Sequence, residues 1–536
     1  MTLTYGFSVE GTDAGQPDRA ILGGKGAGLV EMVKLGLPVP PGFVIGTACG
    51  RAYLAAVPPA LPAGFEAELT ERMAALERAS GRRFGDLEDP LLVSVRSGAP
   101  VSMPGMMDTV LNVGLTADGV AALAGRTGDQ RFAWTSFERL LDGFARTVRD
   151  VDIGEIEDAF FDLPIEHDPA LAARGRCEAL LAVIERESGR PFPDPGGQLR
   201  ESIEAVFRSW LSPRAKAYRK HKGIDEDMGT AVVVQAMVFG NRDQHSGSGV
   251  AFTRDPSTGA RGAFGDFLFT AQGEDVVSGE HDTLALAALG DRLPEVYAQL
   301  TAVFNRLERH TRDLCDVEFT IESGRLYLLQ TRAGQRSGRA AVTLAVDLVD
   351  EGLITETEAI ARVDDEQLTA ASAPRFDAEP PSDEVLARGL AASPGAVTGL
   401  AAFDPERAAA LHRDGHDVVL LRPTTSPADL PGVIASVGVV TGRGGRTSHA
   451  AVVARGMNRA AVCGVGELTV AADGRSATLA GQHLTEGQLI SVDGDRGIVS
   501  LGRRATSAAT DTDPALARLL TWREHHHRVP TELQEH

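Results

Sequence analysis

Short apolar runs of strand length, set between turns, constrain this chain more than any other feature. They are LLVSV (91–95), AVVVQAMV (231–238), GVAF (249–252), VEFTI (317–321) and LYLLQ (326–330). Runs of that length bury as strands and are too short for stable helices. Residues 116–211 read differently. There FAWTSFERLLDGFARTV places Phe132, Phe137, Leu140, Leu141, Phe144 and Val148 at near-helical intervals. Strand-rich halves around a helical insert predict a multidomain α/β chain. Length agrees, since 536 residues exceed one ordinary core and predict two to four domains. No repeat of about 20–50 residues is visible.

Composition shifts mark the boundaries. The stretch 371–383, ASAPRFDAEPPSD, is rich in Pro, Ala and acids and predicts an exposed linker. Residues 386–502 are Val-, Ala- and Gly-rich and predict a compact α/β unit. From 503 to 536 there is little periodicity outside 515–522, which predicts a loosely held tail with His525, His526 and His527 in solvent. That leaves 1–340 as a large first domain and 341–385 as a helical segment and linker.

Charge and cysteine usage exclude some function classes. The apolar fraction is 43% and the charged fraction 24%, as in a soluble globular protein. Lys and Arg total 53 against 74 Asp and Glu, a net charge of −21, which disfavours nucleic acid and acidic membranes as partners. Nucleotide binding needs only a few placed cations and stays open. No run approaches the roughly 18–20 apolar residues of a membrane span. Cys49, Cys177, Cys315 and Cys463 are scattered, and the N-terminus has acids but no apolar signal core. A cytoplasmic location with reduced thiols is the expectation.

Three stretches suit an anionic, metal-bound ligand. GGKGAG (23–28) lets backbone N–H groups approach a phosphate, with Lys25 as a point charge. It does not match a Walker A loop, and a plain glycine turn before a helix is an equal reading. VSVRSGAP (93–100) ends a strand in Arg96, which suits bidentate phosphate recognition although a surface ion pair is the commoner role of a lone arginine, and runs into SMPGMMDT (102–109), a candidate lid. CDVEFT (315–320) and YLLQTR (327–332) put Asp316 with Glu318 on one strand face and Gln330 with Arg332 on one face of the next. A hairpin across 322–325 would gather the four. Hard oxygens of that kind suit Mg²⁺, and an adjacent arginine would clamp phosphates. Glu274, in QGED (272–275), reads either as a ribose or amine contact or as the acid at a helix start.

The strongest signal is GRGGRTSHAAVVARGM (442–457), which follows the apolar run 437–440. A histidine at a strand–loop–helix junction sits where helix N–H groups and Arg455 can receive an anion. Neutral imidazole, with an ordinary pKa near 6.5, is nucleophilic at pH 7 without a separate base. A lone histidine more often caps a helix or sits satisfied in a core. Thr447, Ser448, two arginines and the glycines around His449 favour chemistry.

Taken together, GGKGAGLVEM, VSVRSGAPVSMPGMMDTVLN, GTAVVVQAMVFGN, SGVAFTRDPSTG, AQGEDVVSG, DVEFTIESGRLYLLQTRAGQRSG, EGLIT and TSHAAVVARGM occur in order. They resemble the pyruvate, phosphate dikinase family from residue 5 to about 502. The resemblance implies an ATP-grasp nucleotide domain over 1–340 and a swivelling phosphohistidine domain over 386–502. It implies that His449 attacks ATP at the β-phosphorus, that AMP leaves, and that inorganic phosphate then removes the terminal group as pyrophosphate. By motif, Lys25, Arg96 and Arg332 would hold phosphates, Glu318 and Gln330 would hold Mg²⁺, and Glu274 and Asp316 would complete the nucleotide site. It also suggests Thr447 as a phosphorylation switch.

Departures temper the transfer of function. Family members continue into a barrel that binds phosphoenolpyruvate and pyruvate, for which 503–536 has no room. Asn241, Arg242, Asp243, Gln244 and His245 form a charged version of a family loop, Arg446 precedes Thr447, and Thr424 stands where an acid is usual. The leading expectation is a phosphotransferase that loads His449 from ATP and phosphate, then passes the group to pyruvate on a separate barrel protein. A different small-molecule acceptor is the alternative. A silent nucleotide-binding regulatory partner is a third, which the retained Lys25, Arg96, Glu318, Gln330, Arg332 and His449 disfavour. A homodimer is compatible with any of these.

Overall fold

The computed structural model describes residues 2–16, 18–101, 103, 109–161, 163–277, 283–466, 468–507 and 513–528. Contacts divide the chain into two units, Met1–Ser246 with Thr320–Thr331, and Gly247–Phe319 with Arg332–His536. The expected break near 340 is not where compactness changes. Phe252 and Leu314 lie in one core with Ala341, Leu344 and Leu348, so strands before 340 cluster with helices after it.

In the first unit a six-stranded sheet runs in the order Gly11–Thr12, Thr4–Ser8, Gly42–Ile45, Ala231–Ala236, Val93–Gly98, Thr109–Val113. Every neighbouring pair is antiparallel. The central strands are buried almost throughout because helices cover them, and their few polar side chains, Ser94, Arg96, Ser97 and Gln235, are buried with them. Arg19–Lys34 packs on Ala231–Ala236 and Val93–Gly98, and Pro195–Ser209 packs on Val93–Gly98 and Thr109–Val113. The helical segment runs from Ala117 to Ser209 and adds Pro213–Lys222. Its helix Gln130–Thr147 starts where the Asp129 carboxylate accepts from Phe132 N at 2.9 Å. That helix buries Phe132, Phe137, Leu140, Leu141 and Phe144, the residues whose spacing predicted it.

The second unit holds the eight-stranded sheet Val385–Arg388, Ile498–Leu501, Leu489–Asp493, Ala396–Ala402, Val418–Arg422, Gly438–Thr441, Ala460–Cys463, Leu390–Ser393. From Ala396–Ala402 through Ala460–Cys463 the neighbours are parallel, joined by helices Pro405–Arg413, Leu430–Ala435 and His449–Gly456. Parallel strands need such crossovers, and their carboxyl ends share one edge. A five-stranded sheet has the order Leu284–Ala285, Arg261–Phe269, Gly247–Arg254, Cys315–Glu322, Arg325–Ala333. Among the described residues no helix is long and apolar enough to cross a membrane.

Two expectations need correction. The linker 371–383 is pinned at its middle. Arg375–Phe376 pairs with Thr506–Ser507, Phe376 is buried, and its carbonyl accepts from Arg496 Nη1 at 3.1 Å. An aromatic side chain inside a polar stretch was the overlooked anchor. The tail is not loose over Pro514–Arg528, which forms a helix. Leu516, Leu519 and Trp522 enter the core of Ala341–Leu348, while His525 and His526 stay exposed. Their spacing of three is the apolar stripe of one helix face.

Trp522→Ala should cost about 3–5 kcal/mol of that docking. Amide exchange across 514–528 should then accelerate while the first unit keeps its protection. Wild-type protection of those amides in the variant would contradict the docking.

Candidate functional site

In the first unit a kink sets up the glycine-rich stretch. Gly23 has φ +68° inside helix Arg19–Lys34, and a Cβ there would lie 1.6 Å from Gly98 O. Only glycine fits such an approach. Gly24 N donates to Ala99 O at 2.9 Å, so the helix restarts at the exit of the Arg96 strand. The glycines thus lie within a helix and not in a turn ahead of it. Lys25 is half-buried in the restarted first turn. A Cβ on Gly28 would stand 3.0 Å from Thr331 O, which brings the Gln330 strand against the same helix.

Arg96 is 8% exposed, with Nη2 donating to Leu329 O at 3.3 Å and to Gln235 Oε1. Gln235 is held in turn, its Nε2 donating to Pro40 O at 2.9 Å. Among the described residues the Gln330 Oε1 is buried without a hydrogen-bond partner, an oxygen that calls for a cation or a donor. This unit therefore gathers Lys25, Arg96 and Gln330. The lid expected at 102–109 falls mostly outside the described residues. Its Met103 packs on Trp210 and Ala215.

In the second unit Arg332 Nε meets Asp316 Oδ2 at 2.7 Å. Burial works against the Arg332 charge, but Asp316 and Glu318 together outweigh it and raise its pKa. Burial pushes the Asp316 carboxyl up, with Arg332 opposing. Glu318 is half-buried on the same strand. Glu274 is exposed on the short helix Gly273–Val277, where Asp275 accepts from Gln272 N at 2.7 Å. Among the described residues no group of three or more His, Cys, Asp or Glu could hold a metal.

His449 is the first residue of helix His449–Gly456, after Ser448 as N-cap. The carboxyl ends of the parallel strands Val418–Arg422 and Gly438–Thr441 bring their loops together. Thr425 Oγ1 thereby lies 3.3 Å from His449 Nδ1. Burial lowers the His449 pKa, and the negative charge of Asp429 opposes this. Asp429 is fixed by Ser426 N at 2.8 Å and Arg422 Nε at 3.0 Å. Burial thus favours the neutral form. In the tautomer in which Nδ1 donates to Thr425 Oγ1, the lone pair lies on Nε2.

The loop before His449 is held from both sides. Thr447 N and Oγ1 donate to Asp266 Oδ2 at 2.8 and 2.6 Å, and a Cβ on Gly445 would come within 2.5 Å of that oxygen. Thr447 is buried, so its hydroxyl is spoken for in this arrangement. Arg455 does not receive an anion, contrary to expectation. It is fully buried, with Nη1 donating to Ala392 O at 2.7 Å and Arg446 O at 3.0 Å, and its guanidinium lies 5.5 Å from the Phe252 ring centre. Burial pushes its pKa down to about 10, which leaves it charged.

Sequence reading missed Gln235, Asp266, Thr425 and Asp429. Gln235 was visible as one amide in VVVQAM, but the others matter only through partners far along the chain.

An imidazole titration should place the His449 midpoint below 6.5. Below 6.5 the unfolded chain binds the extra proton first, so this group costs stability as pH falls. Asp429→Asn should lower the midpoint further. A midpoint at or above 6.5, or a rise in the variant, would contradict this electrostatic assignment.

Residues 59–290 match the model of the pyruvate phosphate dikinase AMP/ATP-binding domain, and 415–497 match the mobile domain of PEP-utilising enzymes. Arg96 and Glu274 lie in the first match and His449 in the second. The chain is 43% identical over 517 residues to a pyruvate, phosphate dikinase of Clostridium symbiosum, covering 94% of this chain and 59% of that protein. It is 44% identical over 518 residues to that of Rhizobium meliloti (strain 1021), covering 93% and 58%. Against the chloroplastic pyruvate, phosphate dikinase 1 of Arabidopsis thaliana it is 43% identical over 514 residues, covering 94% and 53%. The chain thus spans somewhat more than half the length of these relatives. With an ATP-grasp-like AMP/ATP-binding domain and a mobile phosphohistidine domain, it belongs to the pyruvate, phosphate dikinase family.

Proposed function

We propose that this chain is a pyruvate, phosphate dikinase-like phosphotransferase that loads a phosphoryl group onto His449 from ATP and inorganic phosphate. The reading rests on one observation above the rest. His449 stands at a helix N-terminus with Nδ1 3.3 Å from Thr425 Oγ1, and burial lowers its pKa toward the neutral form that a nucleophile needs. Nε2 forms a bond to the β-phosphorus as the α–β bridging bond breaks and AMP leaves with that oxygen. An oxygen of inorganic phosphate then attacks the terminal phosphorus. The β–γ bridge breaks, pyrophosphate departs, and phosphohistidine remains.

Transfer of this kind depends on positioning and on neutralising charge. Lys25 and Arg96 are the proposed phosphate contacts of the first unit; Arg332, which Asp316 and Glu318 keep charged, is a proposed phosphate contact in its own unit. The Gln330 Oε1 of the first unit and the Glu318 carboxylate of the second are each hard oxygens of the kind Mg²⁺ takes. Mg²⁺ held by such oxygens would supply charge neutralisation to the phosphates. Glu274 would contact the nucleoside. The onward acceptor in this reading is pyruvate on a separate barrel protein.

Incubation with Mg²⁺ and ATP labelled at the β-phosphorus should give AMP and acid-labile label on the protein, and His449→Ala should abolish both. Added phosphate should convert label on the protein into pyrophosphate plus phosphohistidine. ATP binding without AMP release or label would overturn the reading.

A further inference from the structure

Arg455 is a cation that the sheet and helix bury without fully satisfying. Its Nη1 donates to Ala392 O and Arg446 O, while Nε and Nη2 are buried without a partner among the described residues. An arginine with idle buried donors is costly unless another arrangement of the site uses them. Three carboxylates act on it electrostatically, namely Asp255, Asp316 and Asp266. Asp255 is tied into its own turn, accepting from Ser257 N at 2.8 Å and Thr258 Oγ1 at 2.9 Å. Asp266 holds Thr447. Asp316 differs. Its Oδ2 is taken by Arg332, and its Oδ1 is buried without a partner among the described residues.

The strands place these groups side by side. Arg455 lies over Phe252, and the next residue, Thr253, accepts from Cys315 N at 3.1 Å, one residue before Asp316. A half-used carboxylate and a half-used guanidinium therefore face the same stretch of sheet. Arg455 also grips the carbonyl of Arg446, three residues ahead of His449.

We propose that Asp316 is a shared counter-ion that passes from Arg332 to Arg455 when Arg332 engages the polyphosphate, making Arg455 a positioning residue that ties nucleotide binding to the His449 loop. This rests on the reading of Arg332 as a phosphate grip. Without Arg455, drawing Arg332 onto phosphate would strand the Asp316 carboxylate in a buried site. Arg455 would thus favour nucleotide binding without touching the nucleotide.

A double-mutant cycle tests this with the full chain, Mg²⁺ and α,β-methylene ATP, whose bridging carbon resists cleavage. Arg455→Met should weaken the analogue about tenfold. In the Asp316→Asn background the same change should alter affinity by less than about twofold, because no carboxylate remains to strand. Arg455→Lys keeps a charge that reaches the carbonyls or Asp316, and it covers the case where the methionine variant does not fold. Its loss should stay within about threefold. Wild-type affinity in Arg455→Met, equal losses in both backgrounds, or a lysine variant as weak as the methionine one would overturn the relay. Absence of any binding by the wild-type chain would remove the nucleotide reading and the relay with it. Binding indifferent to Arg455 would remove the relay alone.

Discussion

The half-buried imidazole of His449 stands at the start of a helix, and its neighbours set both its proton affinity and its position. Thr425 engages Nδ1, Asp429 tempers the loss of basicity caused by burial, and Asp429 is itself locked by Ser426 and Arg422. Asp266 and Arg455 hold the approach to the helix, one at Thr447 and one at the Arg446 carbonyl. Neither touches His449. Their effect is to fix where the helix begins, and so where the imidazole stands.

The nucleotide candidates follow a similar logic of close backbone approach. Gly23 exists to let Gly98 O come near, and that contact is what sets Lys25 beside the exit of the Arg96 strand. Arg96 is then steered by Gln235, an amide whose own orientation is fixed by Pro40 O.

What the sequence made legible divides by the range of the interaction. Strands and helices set by local periodicity, such as Gln130–Thr147 and Cys315–Glu322, lie where apolar spacing put them. The His449 junction was readable because strand, glycine loop and helix are contiguous. The roles of Asp266, Thr425 and Asp429 were not, because each depends on a partner set by tertiary packing. Arg455 misled for the same reason, since its position in the motif suggested an anion while the Phe252 strand covers it. The tail misled because three apolar residues at helical spacing are a weak signal until a core exists to receive them.

The nitrogen that carries the phosphoryl group tests the central claim most directly. Nitrogen-15 and phosphorus-31 spectra of the loaded protein distinguish a bond to Nε2 from one to Nδ1. Because Thr425 occupies Nδ1, the adduct should be on Nε2 of His449. A phosphoryl group on Nδ1, or on any residue other than His449, would contradict the arrangement described.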